Sequence, residues 1–305
     1  MPSLKEIKGR IGSVKSTLKI TSAMKLVASA KLRKAQQAIE GMRPYEQMLR
    51  GMVERLLAQA GSVGASDWLR PPVKEGEGPI PRKRVAVVAF SSNSSLCGAF
   101  NANVIRLAQD TVKRHAGATV TVYSIGRKMA EAMKKAGYSS PEDYQKLADN
   151  PAYAPAVELA GKLMEDFREG RLDGVELVYT RFVSSGKQVP VRETFLPMEE
   201  MTAPVSEAPG STSVIPGLTG DVDYIVEPSV KELLEDMLPK SLRLKFFAAL
   251  LDSCASEHAA RTMAMQTATD NGEDLLQELT LQYNKSRQQK ITSEILDLAG
   301  GNQQQ

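Results

Sequence analysis

The sequence predicts an α/β protein in which the two chain termini form a long antiparallel two-helix coiled coil around a central α/β domain. Three observations carry that expectation. Apolar and small residues recur at alternating steps of three and four from Leu4 through Ile7, Ile11, Val14, Leu18, Thr21, Lys25, Ala28, Leu32, Ala35 and Ile39 to Met42. The same rhythm runs from Leu244 through Leu251, Ala255, His258, Thr262, Met265, Thr269, Gly272, Leu276 and Leu279 to Tyr283. Between these stretches the period changes to short continuous apolar runs alternating with helical patterns. A 3.5-residue repeat held this long marks helices that supercoil, and strands alternating with helices mark a mostly parallel sheet.

The first helix begins at Ser3, with Glu6 three residues later in capping-box position. It reaches Met42, bends or pauses at Arg43-Pro44, and continues to Gly61; residues 61–82, rich in Gly, Pro and Ser, read as a loop. Val85–Ser91 is a continuous apolar run, as expected of a strand buried on both faces. Helix is expected over Asn101–Ala116, strand over Thr119–Ile125, and helix over Arg127–Ala136 and Ala154–Arg168. Strand follows over Val175–Val183, a turn at Ser184-Ser185-Gly186-Lys187, and an antiparallel edge strand over Gln188–Leu196. The order describes a Rossmann-like three-layer α/β/α domain. Residues 198–221, with Pro204, Pro209 and Pro216, read as an excursion, and Tyr224–Val226 as a return to the sheet. Helix resumes at Pro228-Ser229, with a kink or restart at Pro239, and runs to Leu298. At ~1.5 Å per residue, about 60 residues make a rod near ~90 Å, more than a core of this mass requires. The expected domains are thus a coiled-coil helix over 1–60, an α/β head over 82–226 and a second coiled-coil helix over 227–300.

Composition agrees. In 305 residues the hydrophobic content is 42% but the aromatic content only 5%, as suits a chain packed largely through Ala, Leu and Met. A net charge of +3 does not argue for nucleic acid. Its distribution is more informative: Lys5, Lys8, Arg10, Lys15, Lys19, Lys25, Lys31, Arg33 and Lys34 face a single acid, Glu6, within residues 1–35. The far end is net acidic, so pairing between the two helices plus solvated faces is expected for most of these charges, at ~0.2–1 kcal/mol for each exposed pair. Cys97 and Cys254 make neither a disulfide framework nor a metal site, and fit a reducing compartment. No apolar run approaches the ~20 residues that span a bilayer. The basic N-terminus lacks an apolar signal core and a cleavage site, so a soluble chain starting at or near Met1 is expected.

No catalytic constellation stands out. The loop Ser91-Ser92-Asn93-Ser94-Ser95-Leu96-Cys97-Gly98-Ala99-Phe100-Asn101 has neither a dinucleotide nor a P-loop fingerprint. It could hold an anion before a helix, but a capped structural turn is the stronger reading. The only histidines are His115, on a helix end, and His258, on the second seam; spacing suggests no Cys/His pairing, no carboxylate pair sits in a loop open to a substrate, and no cofactor or metal is expected. The middle of the second seam, Ala255, His258, Ala259, Thr262, Ala264, Ala268, Thr269 and Gly272, is too small and polar for a strong zipper. It reads either as an Ala-rich coiled coil or as a slim shaft that turns against a partner without sticking.

These residues carry a family resemblance. Ile7-Lys8-Gly9-Arg10-Ile11, Lys19-Ile20-Thr21-Ser22-Ala23-Met24-Lys25-Leu26-Val27-Ala28 and Ala30-Lys31-Leu32-Arg33-Lys34-Ala35-Gln36 resemble the start of the gamma subunit of F-type ATP synthases. Ala255-Ser256-Glu257-His258-Ala259-Ala260-Arg261-Thr262-Met263-Ala264-Met265, Ala268-Thr269-Asp270-Asn271 and Leu279–Thr292 are similar to its end. In the head, Leu96-Cys97-Gly98 and Phe100-Asn101 look like the family's loop after the first strand, although Asn93-Ser94-Ser95 stands where Asp-Arg-Gly is common. The paired-cysteine insertion of chloroplast members is absent, which argues against thiol control.

The resemblance implies a bacterial-type rotor, present once per complex, whose coiled coil lies inside a hexameric ring of alpha and beta subunits. Its head would rest on the epsilon subunit and the membrane c-ring, at the cytoplasmic face of the plasma membrane. ATP chemistry would sit on the beta subunits, so no catalytic residue is expected here. Met24, Lys25, Arg261, Arg287, Gln288 and Thr292 would meet the catalytic ring. Two competing classes are a nucleic-acid-binding basic coiled coil, which few aromatics and an acidic partner helix disfavour, and a Rossmann-like enzyme, which would need the missing phosphate loop.

Overall fold

The computed structural model describes residues 3–60, 68–69, 83–198, 226–227 and 229–301. Two compact units emerge: Met1–Ala30 with Arg261–Gln305, and Lys31–Ala260. Both contain parts of the same two helices, α1 (Leu4–Ala60) and α6 (Val230–Gly301).

The heptad positions are where burial concentrates. On α1 the described residues at positions 4, 7, 11, 14, 18, 21, 25, 28, 32, 35, 39, 42, 46, 49, 53 and 56 are all buried or half-buried. Nearly every residue between them up to position 45 is exposed. Ser3 caps the helix, accepting the Glu6 amide at 3.2 Å, and Ser229 does the same for Glu232 of α6 at 3.2 Å.

Both internal prolines lie within continuous helices, so neither a pause at Pro44 nor a restart at Pro239 occurs. A helix-interior proline costs ~3 kcal/mol because the carbonyl four residues back loses its partner. Both carbonyls belong to exposed residues, Glu40 and Glu235, where water replaces that bond. Packed residues hold the chain helical on either side: Ile39 and Leu49 around Pro44, Leu238 and Leu242 around Pro239.

In the larger unit, β1 (Arg84–Phe90), β2 (Thr119–Ile125), β3 (Gly174–Ser184) and β4 (Lys187–Leu196) form one sheet in the order β2-β1-β3-β4. β1 is parallel to β2 and β3, and β4 is antiparallel to β3, giving the expected antiparallel edge. β1 is buried on both faces, and its alternation divides the core in two. Val85, Val87 and Ala89 pack with Val104 and Ala108 of α2 (Phe100–Arg114) and Met129 and Met133 of α3 (Arg127–Lys135). Ala86, Val88 and Phe90 pack on the opposite face with Leu159 and Leu163 of α5 (Tyr153–Arg168) and with Leu238, Leu242 and Phe246 of α6. This is the three-layer arrangement that the strand and helix order predicted. A five-residue helix, α4 (Gln145–Asp149), lies where only a polar connection was expected.

Of the expected loop over 61–82, only Trp68 and Leu69 are described; Leu69 bridges to Met198, and Trp68 is buried in the core. Most of the 198–221 excursion, with Tyr224 and Ile225, lies outside the described residues. Val226 packs against the core but belongs to no strand, unlike the expected return to the sheet.

Candidate functional site: the helix-pair surface

The loop after β1 spends its polar groups on local structure. Asn93 Oδ1 accepts the Arg127 amide at 2.8 Å, Ser92 O accepts that of Lys128 at 3.1 Å, and Ser91 Oγ accepts that of Met129 at 2.8 Å. The first turn of α3 is therefore capped by β1's own C-terminal loop, leaving no open cradle for an anion there. Asn101 ties the loop to α2, accepting the Ser92 amide at 3.1 Å and donating to Ser92 Oγ at 2.8 Å. Gly126 is required beside it: its φ is +97°, and a Cβ would lie 2.3 Å from Ser91 O.

His115 does have a partner that spacing did not reveal. Its Nε2 lies 3.1 Å from Glu176 Oε1, and Arg192 Nη1 lies 3.8 Å from Oε2 of the same carboxylate. Glu176 is a buried strand residue, and the Arg192 guanidinium brings a positive charge toward its carboxylate from the neighbouring strand.

The smaller unit carries the other candidates. Its seam pairs α1 and α6 antiparallel, with Thr21 hydrogen-bonded to Thr269 and Leu18 packed on Gly272. That register puts Lys25 level with Met265 and the N-terminal turn of α1 level with Tyr283–Ser286. Beyond Ser286, every described side chain through Leu296 is exposed.

The six sequence-predicted residues fall into two groups at opposite ends of this unit. Met24 and Lys25 are half-buried at the edge of the seam. Arg261 is 8% exposed and engaged within the chain. Arg287, Gln288 and Thr292 are exposed. From the level of Lys25 to Arg287 is about 22 residues, or ~33 Å of helix. The Thr292 hydroxyl donates to Gln288 O at 3.0 Å, back onto its own helix.

Two features of this surface were not singled out from the sequence. Ile20, Leu26 and Val27 are 60%, 70% and 58% exposed. They flank the half-buried Met24 on a helix otherwise lined with lysine, and their positions off the heptad seam were the available signal. The second feature corrects the expected interhelical pairing. Among the described residues, Lys5, Lys8, Arg10, Lys15, Lys19 and Lys25 form no ion pair with a carboxylate. The reason is geometric: the acids of α6 at this level, such as Glu273, Asp274 and Glu278, point away from the seam and are exposed. Asp270 accepts a bond from Gln266 of its own helix at 2.6 Å.

A model of the family described as ATP synthase matches residues 3–303. The ATP synthase gamma chain of Phocaeicola vulgatus is 50% identical over 99% of both chains. The chain belongs to the ATP synthase gamma-chain family. Other bacterial gamma chains align equally fully: that of Bacteroides thetaiotaomicron is 50% identical over 100% of both chains, and that of Flavobacterium johnsoniae 39% over 99% and 98%. The gamma-chain fold extends to the rotor of the Euglena gracilis mitochondrial ATP synthase, with a TM-score of 0.59 at 21% identity over 94% of this chain and 98% of that one. The central stalk and c-ring structure of the Tetrahymena thermophila enzyme gives 0.55 at 20% identity, over 82% and 99%. Among the described residues of this gamma-chain family member, no helix is long and apolar enough to cross a membrane.

Proposed function

We propose that this chain is the central-stalk rotor subunit of an F-type ATP synthase, passing torque between a proton-driven membrane ring and a catalytic ring of alpha and beta subunits. The observation that carries the proposal is the division of labour on the smaller unit. Small and polar side chains fill its seam, while a row of cations with no ion pair among the described residues and the apolar Ile20, Leu26 and Val27 face outward. Cations without intrachain partners can exchange acidic partners step by step, because each exposed pair is worth only ~0.2–1 kcal/mol. Met24 and Lys25 would meet the catalytic ring at one level and Arg287, Gln288 and Thr292 at another, with Arg261 holding the helix from within. The functional division is taken as a shaft of residues 1–60 and 227–300 and a head of 82–226. The head would contact the epsilon subunit and the c-ring, with one copy per complex at the cytoplasmic face of the bacterial plasma membrane. Catalysis would belong to the beta subunits.

The test is the paired substitution Arg287→Ala and Gln288→Ala in the assembled enzyme. ATP-driven proton pumping and ATP synthesis are expected to fall while the purified complex keeps its subunit composition. Wild-type turnover and coupling would reject these two contacts. Purification with nucleic acid, in place of alpha and beta subunits, would reject the rotor itself.

A further inference from the structure

In the larger unit the β3–β4 hairpin extends past the sheet and lies against α1 and α6. Phe182 packs against the cluster of Leu32, Ala35, Ile39, Leu251, Ala255 and Ala259. One face of α6 reaches the hairpin backbone: Lys245 Nζ donates to Thr194 O at 3.0 Å, and Ser256 Oγ donates to Thr180 O at 3.0 Å. Asp252 stands between them, seven residues after Lys245 and four before Ser256, hence on the same helix face. Unlike both neighbours, it makes no hydrogen bond and no ion pair among the described residues.

Its surroundings explain why. Arg43 and Glu46 face it from α1, Arg181 and the Tyr179 hydroxyl from β3, and Glu193 from β4. Arg181 is already paired with Glu193 and in hydrogen-bond contact with Tyr179. An ionised Asp252 therefore adds a third carboxylate to a cluster with two guanidinium groups, in a place where it is half-buried. An ionised carboxylate also cannot donate, whereas both neighbours hold the hairpin by donating.

We propose that Asp252 is a proton-binding site, and that proton occupancy sets how tightly the β3–β4 hairpin is held against α1 and α6. With the proton bound, the cluster is balanced at two carboxylates and two guanidinium groups, and Asp252 gains an O–H donor on the face that already carries Lys245 and Ser256. With the proton lost, the third negative charge stands beside Glu46 and Glu193 and the hairpin loosens. Burial pushes the Asp252 carboxyl up to about 7, with Arg181 and Arg43 opposing the rise and Glu46 and Glu193 adding to it. The change of state therefore falls near neutral pH.

The test uses the full chain. Carbon-13 labelling of aspartate carboxyls reads the titration directly, and Asp252→Asn assigns the signal. Amide exchange of Arg181–Val191, corrected for intrinsic pH dependence, reads the hairpin. One aspartate is expected to titrate near 7, and hairpin exchange should quicken between pH 6 and pH 8. The increase should be ~tenfold for each pKa unit separating the held and loosened states. Asp252→Asn, a permanent donor, should keep the slow exchange across the range. Glu193→Gln, which removes a competing carboxylate and frees Arg181, should move the midpoint to lower pH. An Asp252 signal that titrates below pH 5 overturns the proposal. So does hairpin exchange that rises with pH equally in wild type and Asp252→Asn. Should Asp252→Asn not fold, a wild-type midpoint left unmoved by Glu193→Gln overturns it as well.

Discussion

Thr21 and Thr269 meet hydroxyl to hydroxyl at 3.0 Å, 248 positions apart in sequence, in the buried seam between α1 and α6. Each hydroxyl also has a carbonyl of its own helix in reach, Leu18 O at 3.1 Å from Thr21 and Met265 O at 2.8 Å from Thr269, so one proton bridges the pair while the other bonds back to its helix. A lone polar pair at core positions of a coiled coil fixes register at some cost in stability.

Replacing one member should therefore cost more than replacing both. Thr21→Val or Thr269→Val is expected to lower stability by ~1 kcal/mol, through loss of the bridging bond and a methyl group set against the remaining hydroxyl oxygen. The double variant should come close to wild type. Chemical unfolding of the four chains measures the coupling, and strictly additive losses would show that the two hydroxyls act independently.

Gly272 tests how closely the helices approach. A Cβ there would lie 2.6 Å from Leu18 Cδ2 and 3.2 Å from its Cγ. Gly272→Ala sets a helix-propensity gain of ~1 kcal/mol against displacement of Leu18. Gly272→Val should overpack the seam and destabilise by ~1–3 kcal/mol. Adding Leu18→Ala should recover part of that loss, as read by the thermal midpoint. An unchanged midpoint in Gly272→Val would mean that the helices part there at no cost.

Asp173 predicts an acid-side dependence. Its Oδ2 accepts the amides of Lys83 and Arg84 at 2.9 and 2.8 Å, and its Oδ1 faces Arg84 Nη2 at 3.1 Å. Burial pushes its pKa upward, but the Arg84 side chain and the two amides together hold it below the usual carboxylate value. A carboxyl with a depressed folded pKa stabilises above its unfolded pKa of ~3.9, and that stabilisation is lost as pH falls through the folded value. The stability gap between wild type and Asp173→Asn should be widest at neutral pH and close on acidification below pH ~4. A gap independent of pH would leave the ionised carboxylate without a role.

The heptad rhythm was readable because burial on α1 follows it from Leu4 to Leu56 with one register. The four strands were readable for a similar reason, since β1 is apolar on both faces and the β3–β4 turn is short and polar. What escaped depended on long-range packing. Continuity through Pro44 and Pro239 comes from the packed residues around each proline, which outweigh the local penalty. Asp252 sits beside the seam at a place that looks solvated until the hairpin is laid over it. For the candidate site, residue types were legible but their presentation was not: Arg261 and Arg287 are alike in sequence, yet one is buried and the other exposed.

The stretch of α6 beyond Ser286 has a further consequence. With its described side chains exposed through Leu296, it gains almost nothing from tertiary burial, and isolated helices shorter than ~12–15 residues are marginal in water. On heating, the turns between Arg287 and Leu296 are therefore expected to lose helix before the packed seam does, so that a probe placed there would report a lower midpoint than one at Thr21.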